Sequence, residues 1–159
     1  MTVVPDLPAF AALLPAYGSL LALDVSKRRI GLAGTDPGRR LVTPLHTLPR
    51  GRWKDDWPKL AKVVAEREAV ALVVGSPSHM DGSGTPEGEA ARAFAANLHA
   101  ALGLPVYLQD ERLTTFVVED MIEEGRLPRP KLPGDPVDHY AAAVILEDCL
   151  AGLARLAAA

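Results

Sequence analysis

Residues 20–35 read LLALDVSKRRIGLAGT, and this stretch decides the fold. Its first four residues are apolar without alternation, the mark of a strand buried on both faces, and the run stops at Asp24. A second apolar run begins at Ile30 and reaches Thr35. The link between the two is far shorter than the dozen or so residues that a parallel crossover needs, so the strands are antiparallel. A third strand-like run, Leu41 to Leu48, follows the turn signal Asp36-Pro37-Gly38 and extends the hairpin into a meander.

The period then changes. Helical patterning from Trp53 to Arg67 leads into an apolar run at Val70 to Val74, which stops at Gly75. A polar, Gly-rich loop runs to Gly84, and Thr85-Pro86 supplies an N-cap and first-turn pair for a helix to about Leu102, with Gly103 as its terminator. The strand Val106 to Leu108 leads into Asp110 and Glu111, and a helix over about Thr115 to Glu124 follows. Asp135-Pro136 opens the last helix, Val137 to about Leu156, after a proline-rich loop carrying Arg126, Arg129 and Lys131. The expected architecture is an α/β domain over residues 20–156: a mixed five-stranded sheet, three antiparallel strands and then parallel ones, with helices on both faces. That is the order of ribonuclease H-like domains. Residues 1–19, punctuated by Pro5, Pro8 and Pro15, are expected to be a loose arm with room for one helical turn around Phe10 to Leu14.

A chain of 159 residues can bury a core but is too short for two lobes that close over a substrate. Its eight aromatic residues make base-stacking platforms an unpromising mode of binding. One cysteine, Cys149, permits no internal disulfide and no thiolate metal cluster, and its position in a helix reads as core. Neither a secretory leader nor a membrane-spanning run is evident, so the expected compartment is the cytoplasm, with no membrane partner. The net charge of -3 divides unevenly. Lys27 to Arg67 holds eleven Lys and Arg against four acids, whereas Glu68 onward holds six against fourteen. A basic surface beside an acidic site suits a phosphodiester held by cations, although solvated surfaces also carry such charge.

In open α/β sheets ligands bind at the carboxyl ends of the strands, where Asp24, Gly75 and the Asp110-Glu111 pair all fall. Carboxylates gathered there repel one another unless a cation lies between them. Asp24 could hold a divalent ion while Lys27 and Arg29 meet phosphate oxygens, or it could be a turn-forming aspartate. Strand alternation turns one of Asp110 and Glu111 inward, and Glu111 is the residue chosen for the site, with Thr114 or Thr115 capping the next helix. Asp138 shares a helical face with Ala141, Ala142 and Ile145, where an acid is costly unless paired or metal-bound. The loop from Gly75 to Gly84 could bring backbone amides to a phosphate but lacks the Gly-Lys-Ser/Thr ending of a Walker loop. Its His79, like His46, His99 and His139, reads as surface or structural.

Taken together, Leu-Asp24-Val-Ser-Lys-Arg-Arg29-Ile-Gly31, Val-Gly75-Ser-Pro77-Ser-His-Met80-Asp81-Gly82-Ser83, Asp110-Glu111-Arg112-Leu-Thr-Thr115 and Val-Asp138-His-Tyr-Ala-Ala resemble the YqgF/RuvX family. These are bacterial ribonuclease H-like nucleases, associated with Holliday junction resolution and with maturation of the 5′ end of pre-16S ribosomal RNA. The resemblance spans about Leu20 to Leu150. It implies an acidic metal site of Asp24, Glu111 and Asp138, with Lys27, Arg29, Gly75, Arg112 and Thr114 on the substrate side. It further implies two Mg²⁺ or Mn²⁺ ions, in-line hydrolysis of a phosphodiester, and branched DNA or precursor rRNA as partner. Resolution of a junction cuts two symmetry-related strands and implies a homodimer. Ser26 stands where the family usually has glycine, Ser78-His79 where it has Leu-Asn, and the loop before Asp138 is less basic than usual. Two rivals stand beside this reading: a non-catalytic nucleic-acid-binding or ribosome-assembly factor of the same fold, and an actin-like phosphotransferase, which a single domain serves poorly.

Overall fold

Apolar runs without alternation form the centre of the sheet, as their composition requires. The computed structural model describes residues 3, 4, 6–76, 86–110, 124 and 138–158. In chain order the elements are β1 (Val3–Val4), α1 (Leu7–Leu13), β2 (Ser19–Val25), β3 (Arg29–Thr35), β4 (Val42–Pro49), α2 (Trp53–Arg67), β5 (Ala69–Ser76), α3 (Pro86–Leu102), β6 (Val106–Asp110) and α4 (Asp138–Ala158). The sheet order is β1-β6-β5-β2-β3-β4. Strand β3 pairs antiparallel with β2 and β4, whereas β5 runs parallel to both β2 and β6. The mixed architecture and the ribonuclease H-like order therefore hold, with one strand more than the five expected.

The extra strand comes from the amino-terminal arm. Val3 and Val4 pair in parallel with Val106 and Tyr107. Asp6 then caps α1, its carboxylate accepting from the Ala9 amide at 2.8 Å. Phe10, fully buried, stacks on Tyr107 with ring centroids 5.2 Å apart. Burying that one ring contributes on the order of 2 kcal/mol, enough to dock the segment. The described part of the arm is thus packed rather than loose, because three apolar residues, Val3, Val4 and Phe10, find the uncovered edge and face of β6.

Two apolar layers flank the sheet. Leu21, Leu23, Leu32, Leu72 and Val74 pack with Leu60 and Val63 of α2 and Phe94 and Leu98 of α3. On the other face, Leu20, Ala22, Ala33, Ala71 and Val73 pack with Phe10 and with Ala142, Ile145, Leu146 and Cys149 of α4. Alternation along β2 follows from these two sets, so Asp24 takes the face of Leu20 and Ala22, the one covered by α4. Cys149 is buried, and burial pushes its thiol up to about 12, in accord with reading it as a core residue. At the end of α3, Gly103 takes the left-handed conformation, φ +73°, and its amide donates to the His99 carbonyl.

Candidate active site

Asp24 lies near the carboxyl end of β2, Asp138 begins α4, and Gly31 allows them to meet. In the β2–β3 register Asp24 is opposite Gly31. A Cβ at Gly31 would overlap the carbonyl group of Asp138 and come within 2.6 Å of the His139 amide nitrogen. Only glycine lets the first turn of α4 rest on this strand. The Arg29-Ile-Gly31 segment therefore has a steric role that its charge does not reveal.

Burial, reinforced by the negative charge of Asp138, pushes the Asp24 carboxyl up to about 6. The Nε of Arg29 lies 3.2 Å from Oδ2 of Asp138. Asp138 is 16% exposed and Arg29 48%, so the pair sits at the rim of the site. Asp138 is thus paired with one guanidinium while Asp24 faces its negative charge, an arrangement that favours a further cation. An all-oxygen donor pair is chemically suited to a hard divalent ion such as Mg²⁺ or Mn²⁺. His139 is turned to other work: its Nδ1 is 2.8 Å from Oγ1 of Thr47, tying α4 to β4, and burial lowers its pKa. His99 likewise is structural, with Nδ1 2.8 Å from the Leu104 carbonyl oxygen.

The basic side of the site is built from the β2–β3 turn. The Ser26 amide donates to the Arg29 carbonyl at 2.9 Å, and the Ser26 hydroxyl accepts from the Arg29 amide at 3.1 Å. In this chain, then, the serine that replaces the usual glycine pins the turn bearing Lys27, Arg28 and Arg29. Arg50, at the end of β4, joins them. Its amide donates to the Arg28 carbonyl at 2.8 Å, its Nη1 to the Ser26 carbonyl at 2.9 Å, and its guanidinium lies over the Phe94 ring, 5.3 Å from the centroid. Sequence reading counted Arg50 only among eleven bases, because its place depends on the pairing of Arg29 with Pro49 across β3 and β4.

Leu23 pairs with Val74 in parallel register, which makes Gly75 the neighbour of Asp24 one step further along. Asp24, Asp138, Lys27, Arg29 and Gly75 are thus gathered at one edge of the sheet. Glu111, Arg112, Thr114, Thr115 and His79 lie outside the described residues, as do the helix expected over about 115–124 and the loop that precedes α4. Among the described residues no group of three potential ligands is assembled, and no helix is long and apolar enough to cross a membrane.

Comparison with known proteins identifies the family. A family model, RuvX: Holliday junction resolvase, matches residues 18–152. A Rhodobacter capsulatus protein provisionally named a pre-16S rRNA nuclease is 42% identical over 154 residues, covering 97% of this chain and 96% of the relative. One of the same name from Sphingopyxis alaskensis is 43% identical, covering 93% and 96%. Among solved structures, the Thermus thermophilus RuvC complex with a Holliday junction substrate superposes with a TM-score of 0.50 at 12% identity, covering 86% of this chain and 96% of that one, a likeness of fold. The length of the family match and the identity across nearly the whole chain show that this protein belongs to the RuvX family of nucleases, described as Holliday junction resolvases.

Proposed function

We propose that the chain is a divalent-metal-dependent nuclease that hydrolyses phosphodiester bonds at the carboxyl edge of its sheet, with Asp24, Glu111 and Asp138 as the acidic set. The observation that carries this reading is the meeting of Asp24 and Asp138 over Gly31, with Arg29 paired to Asp138. The Asp110-Glu111-Arg112 motif favours Glu111 as the third member.

When bound, a divalent ion supplies Lewis-acid activation of water and charge stabilisation at the leaving oxygen. The chain's own groups do the rest. The carboxylates of Asp24 and Asp138 hold the ion, and Gly31 fixes their spacing by permitting the close approach of α4. Lys27 and Arg29, on a turn clamped by Ser26, meet the phosphate oxygens and set the register of the strand. Gly75 follows Val74, the parallel partner of Leu23, and so lies next to Asp24 on the neighbouring strand. Arg112 and Thr114 belong to the same substrate side. A junction cut at two symmetry-related positions calls for two copies of the chain, whereas trimming a pre-16S rRNA leader needs one.

The test compares the protein with Asp24→Asn on a labelled four-way DNA junction and on a pre-16S rRNA 5′ leader, in Mg²⁺, Mn²⁺ or EDTA. Metal-dependent cutting that disappears in the variant is the expected result, and the preferred substrate separates junction resolution from RNA maturation. If neither substrate is cut, or the variant cuts as well as the parent, the catalytic assignment fails and a non-catalytic binding factor takes its place.

A further inference from the structure

On the face of the sheet opposite Asp24, but at the same edge, lies a cavity of about 290 Å³ that the hydrolytic groups do not use. It is lined by Val25, Lys27 and Arg50 from the hairpin end, Gly75 from β5, and Ala90 and Ala91 from α3. Ser26 and Pro86 also line it, and among the described residues the lining includes two cations and no acid. The size is at the lower end of ligand cavities, which run from about 300 to 1,000 Å³, so it fits one ring system rather than a larger ligand. An apolar cleft with cations at its wall matches a group that is flat and uncharged but attached to phosphates.

Arg50 makes the cleft a formed one. Its Nη1 is held by the Ser26 carbonyl and its guanidinium by the Phe94 ring. The backbone beneath it is fixed as well, since the Gly51 amide donates to both carboxylate oxygens of buried Asp56, at 3.0 and 3.2 Å. A guanidinium held in this way keeps its plane without ordering cost on binding. Arginine planes serve as stacking partners for unpaired bases where aromatic side chains are few. Val25 is the residue after Asp24, and Gly75 flanks Asp24 in the parallel register. The carboxylates and the cavity thus share one edge of the sheet, on its opposite faces.

We propose that this cavity receives one unstacked nucleobase of the strand whose phosphodiester lies over Asp24 and Asp138, with the Arg50 plane against the base and Lys27 on the adjoining backbone. The assignment rests on the nuclease reading for the position of the strand and goes beyond it by giving the chain a base-binding subsite. A base is most easily extruded where it is unpaired or at a branch, which suits either a junction or a single-stranded leader. Among the described residues the lining carries no amide or carboxylate side chain, which favours selection by shape.

The experiment uses single-stranded DNA and RNA oligonucleotides carrying 2-aminopurine at successive positions, bound to the Asp24→Asn protein so that nothing is cut. The expected result is an emission change concentrated at one probe position. Ala90→Trp fills the cavity from an exposed helix position and is expected to abolish that change and to weaken binding about tenfold, the scale of one lost base contact. Ala96→Trp, exposed on the same helix outside the cavity, is expected to leave both intact. Equal emission changes at every probe position overturn the proposal without any variant, and so does an unaltered position-specific signal in folded Ala90→Trp. Cleavage by the parent protein without a position-specific signal sinks the subsite and leaves the nuclease standing. A position-specific signal in a protein that cuts neither substrate sinks the nuclease and leaves the subsite. The DNA and RNA arms show which backbone delivers the base.

Discussion

The β2–β3 hairpin has two polar ends built on opposite principles. At the end holding Ser19 and Thr35, the charges of Asp36, Arg39 and Arg67 are answered by the backbone. The Ser19 hydroxyl donates to the Arg67 carbonyl, Arg67 donates to the Thr35 carbonyl, and Arg39 donates to the carbonyls of Gly18 and Pro15. Asp36 accepts from the amides of Leu41 and Arg40, and those bonds, Leu41 first, lower its pKa. At the end holding Asp24, burial and, after it, the opposing charge of Asp138 instead push the Asp24 carboxyl up to about 6. Satisfied charge stabilises a fold, whereas charge left in mutual repulsion marks where a ligand is to be bound.

The largest effects should come from breaking the repelling end. Asp24→Asn should lower cleavage by at least the roughly hundredfold that loss of even an outer partner costs at a metal site. It should also stabilise the metal-free protein at neutral pH. The Asp24 carboxyl is raised from 3.8 to about 6, so the folded state binds its proton more tightly than the unfolded chain does. In EDTA, stability from this group is fully present below about pH 4, declines towards about pH 6 and stays low above, a change on the order of 3 kcal/mol. Urea denaturation across this range should show the decline in the parent and its absence in the variant. A parent protein whose stability is flat across that window would contradict the raised carboxyl.

Gly31→Ala comes next. The added Cβ overlaps the Asp138 carbonyl, so α4 has to move off β3 at a cost of about 2 to 3 kcal/mol. Cleavage should be lost with it, although no carboxylate is removed, and the thermal shift produced by Mn²⁺ should shrink. Arg29→Gln should cost less than about 1 kcal/mol, since the Arg29–Asp138 pair is half in solvent. Its mark should be on nucleic-acid affinity, with the logarithmic salt slope shallower by about one. At the satisfied end, Asp36→Ala should loosen the turn before Leu41 and leave cleavage at the parent rate. A severalfold fall in cleavage there would break the distinction between the two ends.

Much of this arrangement was legible from pattern. The helix Trp53–Arg67, the start of α3 at Pro86 and the meander of β2, β3 and β4 follow from periodicity and turn residues. The loose arm was misread, because a few apolar residues between prolines show no period, and their burial depends on the exposed edge and face of β6. In the site, Asp24 and Asp138 were readable as acids at a strand end and on an apolar helical face. Gly31 was readable only as part of a motif, and Arg50 not as a site residue at all. A glycine's purpose lies in what approaches it, and Arg50 is defined by Ser26 and Phe94, neither of which is near it in sequence.

Local regularities were therefore enough to determine the strands, helices, turns and inventory of acids, because hydrophobic alternation and capping are properties of neighbouring residues. Tertiary structure alone decided that α4 rests on Gly31, that Asp138 raises the Asp24 carboxyl, and that Arg50 closes a cavity beside them. Those are distances between positions remote in the chain, set by sheet register and helix docking, and no periodicity encodes them.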